Sequence, residues 1–136
     1  MADFVLVVDS QLEEIARLAE QVEEFCDSQD LPPKLCFQFN LCFDEVLTNI
    51  IQHGLGGAPG RTITVRMRTD DAAVTAEVED DAPAFDPLQR AVPDITADLD
   101  EREIGGLGVH LLRNMMDDVS YSRVGNHNRL CFTKKR

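Results

Sequence analysis

Two short alternating runs joined by one tight turn constrain this chain more than anything else in it. Ile63, Val65 and Met67 alternate with Thr62, Thr64, Arg66 and Arg68; beyond Asp70-Asp71, Val74, Ala76 and Val78 repeat the pattern. Such period-two alternation marks a strand with one dry face and one wet face. A turn this short joins antiparallel neighbours. The sheet they start keeps one face for water, so the helices must share the other.

The remaining elements fall on either side of that hairpin. Residues 3–8 (DFVLVV) read as another strand. Ser10 and Glu13 have capping-box spacing, which predicts a helix over residues 11–28 with Leu12, Ile15, Ala16, Ala19, Val22 and Cys26 on its apolar stripe. Pro32-Pro33 suits the first turn of a second helix, expected to run to about His53 before Gly54 stops it. Residues 54–60 (GLGGAPG) make a turn. From Asp80 to Glu103 periodicity is weak and Pro83, Pro87 and Pro93 intervene, a long loop of the kind that is functional or disordered in compact domains. Gly105-Gly106-Leu107-Gly108 opens a third helix to about Asp117, and Gly125-Asn126 joins two last strands near 118–124 and 129–134. The order β-α-α-β-β-loop-α-β-β predicts an α+β, two-layer sandwich. Its sheet is mixed, mostly antiparallel, of about five strands, with three helices on one face. Residues 1–136 form a single domain.

Composition narrows the partners. The 136 residues carry a formal charge of −12, with 13 Lys and Arg against 25 Asp and Glu. Nonspecific contact with nucleic acid or an anionic membrane is therefore excluded, because phosphates would be repelled. A small anionic ligand needs only local donors and is not excluded. The longest nearly apolar stretch, Leu35 to Phe43, is broken by Gln38 and Asn40 and is too short to span a bilayer. No secretory signal follows Met1-Ala2-Asp3, so a cytoplasmic address is expected. The four cysteines, Cys26, Cys36, Cys42 and Cys131, form no Cys-x-x-Cys pair and read as reduced, buried small hydrophobes. Zinc on Cys36, Cys42 and His53 lacks a second ligand pair at metal-site spacing and is set aside.

Three stretches carry candidate chemistry, and each has a plain alternative. Glu45, Asn49 and His53 recur every four residues and would stack on one helix face, beside an anchoring stripe of Phe39, Phe43, Val46 and Ile50. A carboxylate one turn from a carboxamide offers a proton acceptor next to a hard oxygen ligand for Mg²⁺; the plain reading is a solvated helix face. Val78-Glu79-Asp80-Asp81-Ala82-Pro83 ends a strand in carboxylates, and an aspartate there can accept a hydrogen bond from an exocyclic amine such as adenine N6. The plain reading is a solvated turn. The glycines at 105–108 let backbone N–H groups approach phosphate oxygens at a helix start, or simply make a flexible loop.

Their order is more specific than any one of them. A helix with Glu-x-x-x-Asn, a strand ending in Asp-x-small, a long loop, then Gly-x-Gly opening a helix resembles the GHKL ATPase superfamily. Within it the chain is similar to the small anti-sigma-factor serine/threonine kinases. The stretches that carry the likeness are FDEVLTNIIQHG (43–54), VEDDAPAFDP (78–87) and GGLGVHLLRNMMDDVSYSR (105–123), and the frame around them matches over nearly the whole chain.

The resemblance implies ATP and Mg²⁺ as cofactors. Asn49 would ligate the magnesium, and Glu45 would be the general base or would orient the substrate hydroxyl during γ-phosphoryl transfer. Asp80 would receive the adenine amine, with Ala82 and Phe85 beside the base. Residues from about Asp86 to Gly105 would form a lid, where Arg102 would contact the γ-phosphate. Gly105, Gly106, Leu107 and Gly108 would supply the phosphate cradle, followed by Val109 and His110, and His53 would help to orient the site. Ala82 stands where family members usually carry Gly; a left-handed backbone there would strain it by about 1 kcal/mol, whereas a need for smallness alone would suit it.

By the same resemblance the chain is a protein serine/threonine kinase that phosphorylates a STAS-type anti-sigma-factor antagonist and sequesters a sigma factor. A homodimer through the apolar surface of the first strand and helix is implied too. Histidine kinases add a phosphoacceptor region and gyrase-like members a transducer domain, so a free-standing unit fits the small kinase. Two alternatives stay open: a non-catalytic, nucleotide-gated binding protein acting on a sigma factor or a partner phosphatase, and a slow ATPase acting through its lid.

Overall fold

The computed structural model describes residues 2–84 and 106–136, and of residues 106–110 the backbone alone. Strand β1 (Ala2–Asp9) leads into helices α1 (Glu14–Ser28) and α2 (Pro33–Asn49), and α2 continues as a π turn over Ile50–Gly54. Strands β2 (Thr62–Thr69) and β3 (Ala73–Asp80), helix α3 (Gly106–Met115), and strands β4 (Asp118–Val124) and β5 (His127–Lys135) complete it. This is the expected α+β sandwich. The five strands are ordered β1-β2-β3-β5-β4, and all four pairings are antiparallel. The parallel pairing that a mixed sheet would contain is not among them: β2–β3 and β4–β5 are hairpins, and β1–β2 and β3–β5 pair antiparallel across connections that include helices.

The alternation read from β2 and β3 decides which face is dry. Ile63, Val65, Met67, Val74, Ala76 and Val78 are buried, and Leu130 and Phe132 of β5 extend their stripe. The helices close over it: Leu18, Val22 and Phe25 from α1, Phe39, Phe43 and Leu47 from α2, Leu112 from α3. Phe132 sits between Phe39 and Phe43, with ring centroids 5.8 and 5.4 Å away, and so ties the middle of the sheet to α2. The opposite face carries charges that pair across strands, such as Arg66 with Glu77 and Glu79, and Arg129 with the same two carboxylates. These half-exposed pairs each contribute little.

The expected capping box does not form. α1 starts at Glu14, and Ser10 is buried with its hydroxyl donating to the Ala58 carbonyl (2.8 Å) and accepting from the Arg61 N–H (3.2 Å). A tertiary partner, the turn after α2, has won the hydroxyl from the local one. Glu14 instead reaches back to the Asp9 N–H through Oε1 at 3.2 Å. Cys26, Cys36 and Cys42 are buried as read, and Cys131 is half-buried on the outer face. Burial pushes the Cys42 thiol up to about 12, which leaves it inert near neutral pH.

Candidate functional site

The face of α2 that carries the first motif is set by what lies behind it. Phe39, Phe43 and Val46 are buried in the core, which turns Glu45 and Asn49, one turn apart, into half-buried positions beside it. Neither side chain makes a hydrogen bond or ion pair among the described residues. Both are therefore available to a ligand. His53 does not continue their stack. The chain leaves α-helical winding after Asn49 and closes a wider turn, in which the Leu55 N–H donates to the Ile50 carbonyl at 2.7 Å. The extra width takes His53 out of the four-residue register and leaves it exposed. Single π turns of this kind are frequent at functional sites.

Asp80 is the last residue of β3, on the dry face of the sheet. It follows Val74, Ala76 and Val78 in strict alternation and is only 5% exposed. A carboxylate in the place where an apolar residue completes the stripe is costly unless donors meet it. Two do so at Oδ1, the Ala82 N–H at 2.9 Å and the Asn128 Nδ2 at 3.1 Å. Oδ2 accepts no hydrogen bond among the described residues. Burial pushes the Asp80 carboxyl upward from the ordinary aspartate value, while those two donors pull it back.

The first two motifs meet where the π turn ends. Gly54 approaches Ala82 so closely that a β-carbon on it would lie 3.4 Å from that of Ala82. Ala82 is buried and does not adopt a left-handed backbone; Asp30 is the one non-glycine residue with positive φ among the described residues. The left-handed geometry that would have strained Ala82 is therefore not present.

Helix α3 brings in the third motif. It begins at Gly106, packs against α2, and is anchored by Leu112, with Met116 buried just past its end. The N–H groups of its first turn, from Gly106 to Gly108, lack intrahelical acceptors by construction. Of Leu107, Val109 and His110 the side chains lie outside the described residues, as do Phe85, Arg102, Gly105 and the lid that was read over 86–105. α2 is consequently the common neighbour, reaching the Asp80 strand end through the π turn at Gly54 and packing against α3.

Asn128 is a neighbour of the candidate site that the sequence reading missed. β5 starts at His127, two residues earlier than expected, which places Asn128 opposite Asp80 in the sheet register. Its Nδ2 donates to Asp80 Oδ1, to the Ala82 carbonyl (3.2 Å) and to the Pro83 carbonyl (3.1 Å). Its Oδ1 accepts from Tyr121 Oη (2.5 Å) and Arg123 Nη1 (3.1 Å). A signal was present. Stepping back by two from Phe132 and Leu130 lands on Asn128, a polar residue on the dry face.

A sequence model of the histidine kinase-like ATPase domain family matches residues 8–134, which takes in all three motifs and all but the first residues of the fold. The chain belongs to that family. Relatives with given activities agree. The serine/threonine-protein kinase BtrW of Bordetella bronchiseptica is 33% identical over 100 residues, 74% of this chain and 70% of that protein. The serine-protein kinase RsbW of Listeria monocytogenes is 30% identical over 83 residues, covering 58% and 53% of the two chains. The anti-sigma F factor of Geobacillus stearothermophilus is 25% identical over 91 residues, 67% of this chain and 62% of the relative. The matched segment thus spans little more than half of the last two. Among the described residues, no helix is long and apolar enough to cross a membrane.

For a histidine kinase-like ATPase domain the donor set fits its nucleotide. Asn49 has an uncommitted carboxamide oxygen for a hard cation, Asp80 an uncommitted carboxylate oxygen for an amine, and α3 an N-terminal turn for an anion. Ala82, buried beside Gly54, lies next to both the strand end of Asp80 and the π turn that follows Asn49.

Proposed function

We propose that the chain is an ATP-dependent protein serine/threonine kinase and anti-sigma factor. It phosphorylates a STAS-type antagonist and sequesters a sigma factor, and the whole of residues 1–136 acts as one unit. The observation that carries this reading is the Gly54–Ala82 approach, which sets the Asn49 turn against the strand end that holds Asp80. Asn49 would hold Mg²⁺, and Asp80 would accept the adenine amine through Oδ2. Arg102, Gly106 and Gly108 would hold the phosphates, with Gly105, Leu107, Val109 and His110 lining the same turn, Phe85 beside the base, and His53 at the rim. ATP, when bound with magnesium, supplies a γ-phosphoryl group whose charge is partly neutralised. Glu45 would take the proton of the acceptor serine or threonine hydroxyl as that oxygen attacks phosphorus and ADP leaves. The names of the relatives, kinases and an anti-sigma factor, support this reading.

Partner docking has apolar surface to draw on. A groove of about 940 Å³ between α1 and α2 is lined in part by Leu12, Ala16, Phe37 and Leu41. Val5 and Val7 are exposed on the outer face of the edge strand β1, which suits a homodimer. The non-catalytic alternative drew on strain at Ala82, and the backbone there gives it no support.

The deciding experiment is incubation with radiolabelled ATP, Mg²⁺ and STAS proteins of the same genome. Label is expected on one of them with wild type and none with Glu45→Ala, while ATP and sigma-factor binding survive in both. Binding of ATP and partner by wild type with no label on any STAS protein would favour the non-enzymatic binder. Asn49→Ala is expected to lower Mg²⁺-ATP affinity more than it lowers thermal stability.

A further inference from the structure

The stripe of apolar residues on the inner face of β5 ends in a side chain that has no place in a core unless every polar atom is matched. Asn128 is 7% exposed. Its matching is one-sided in chemistry as well as in space. Arg123 can only donate, so the atom of the carboxamide that faces it is the oxygen. The nitrogen is then forced towards β3, where it meets Asp80 Oδ1 and the carbonyls of Ala82 and Pro83. Arg123 Nη1 also donates to the Ala82 carbonyl at 2.9 Å, so β4 and β5 together grip the turn that follows Asp80.

We propose that Asn128 is a positioning residue for purine recognition: by donating to Asp80 Oδ1 it fixes that oxygen as an acceptor and leaves Oδ2 as the acceptor for a 6-amino group. This rests on the nucleotide reading given above. Any proton on Asp80 would have to sit on Oδ2, since Oδ1 already receives two donors. Without Asn128, burial of Asp80 beside Asp81 favours the protonated form, and only the Ala82 N–H and the Arg123 charge still oppose it. A protonated Oδ2 presents a donor to the base. The site then tolerates a 6-oxo purine and weakens towards a 6-amino one. Asn128 acts through Asp80, and Tyr121 and Arg123 act through Asn128.

The test is calorimetric titration of the full chain with Mg²⁺-ATP and Mg²⁺-ITP, which differ at the 6-position of the base. Asn128→Leu continues the apolar stripe and removes the donor; Asn128→Gln keeps a donor. ATP affinity is expected to fall about tenfold in Asn128→Leu, the usual loss for a hydrogen bond to a charged group, with ITP changing less. The ATP/ITP preference therefore shrinks, and Asn128→Gln recovers part of it. Equal weakening of both nucleotides, or an unchanged preference, overturns the proposal and leaves Asn128 purely structural. If Asn128→Leu fails to fold, Tyr121→Phe is used, and the preference must shrink in the same direction. Asp80→Asn separates this from the parent reading. Loss of ATP binding there with a wild-type preference in Asn128→Leu sinks the positioning role alone; wild type that binds no ATP, or Asp80→Asn that binds it as tightly, sinks both.

Discussion

Gly54 faces Ala82 across the seam between the end of α2 and the end of β3, so close that a β-carbon on Gly54 would come into van der Waals contact, 3.4 Å, with that of Ala82. Neither residue is chosen for backbone freedom, since neither has positive φ. Ala82 is buried at this seam, so a larger side chain there has to be accommodated by its neighbours. Ala82→Val is expected to destabilise by about 1–3 kcal/mol, the usual cost of overpacking, and to weaken ATP binding with it. Ala82→Gly removes the methyl at this seam; it is expected to lower stability by roughly 0.5–1 kcal/mol through chain entropy and to leave ATP affinity within a factor of about two. Chemical denaturation and nucleotide titration of the two variants check both statements.

Asp80 gives a prediction whose sign depends on pH. Burial raises its folded-state pKa above that of the unfolded chain. Its contribution to stability is therefore fully present below the unfolded value, about 3.9, and is lost as pH rises through the raised one. Asp80→Asn keeps an oxygen to accept from Ala82 and Asn128 and removes the buried charge. The variant is expected to melt higher than wild type at neutral pH, with the difference closing towards pH 4, while ATP binding is lost. Calorimetric melts across that range, with and without Mg²⁺-ATP, check it. A variant less stable than wild type at pH 7 contradicts the account of a carboxylate held at a cost for function.

How much of this was legible in the sequence follows from which contacts are local. The β2–β3 hairpin, the Pro33 start of α2 and the Gly125 turn are dictated by neighbours, and they stand where the residues said. Gly125 has φ of 60°, which explains its place in the last hairpin. Ser10 obeyed a local rule and was claimed by Ala58 and Arg61, 48 and 51 residues on, a competition that no spacing reveals. His53 was misplaced because one π turn shifts the register of everything after Asn49. In the candidate site, Glu45, Asn49 and Asp80 stand out in the sequence because the order of their motifs is distinctive. Asn128 was hidden by a strand boundary set two residues late, although the period-two stripe already pointed to it.

α1 ends at Ser28, as the sequence predicts, but its left-handed cap follows from no pattern and offers an independent stability test. Asp30 has φ of 54°, and the Leu31 N–H donates to the Cys26 carbonyl (2.9 Å) while the Asp30 N–H donates to the Asp27 carbonyl (3.3 Å). This is a Schellman ending with aspartate in the place glycine usually takes. Asp30→Gly relieves left-handed strain but frees the unfolded chain, so the net gain is about 0.5 kcal/mol. For a domain of this size that is a rise in melting temperature of about 2 °C. Asp30→Val, branched at Cβ, is expected to fall by more than that.

The edge strand β1 supplies the last prediction. Its inner residue Val8 is fully buried, whereas Val5 and Val7 on the other face are 56% and 52% exposed. Two apolar side chains on an edge that also has unpaired backbone groups invite another chain, and isolated edges are usually guarded by charge. The proposed homodimer uses that invitation. Sedimentation of wild type at micromolar concentration is expected to show a dimer, and Val5→Lys with Val7→Lys a monomer. Because both sites are exposed, the monomer should lose no more than about 0.5 kcal/mol per substitution in its own folding stability. A wild-type monomer rules out the interface. A double variant that stays dimeric moves it elsewhere, to the α1 face or the groove beside Phe37.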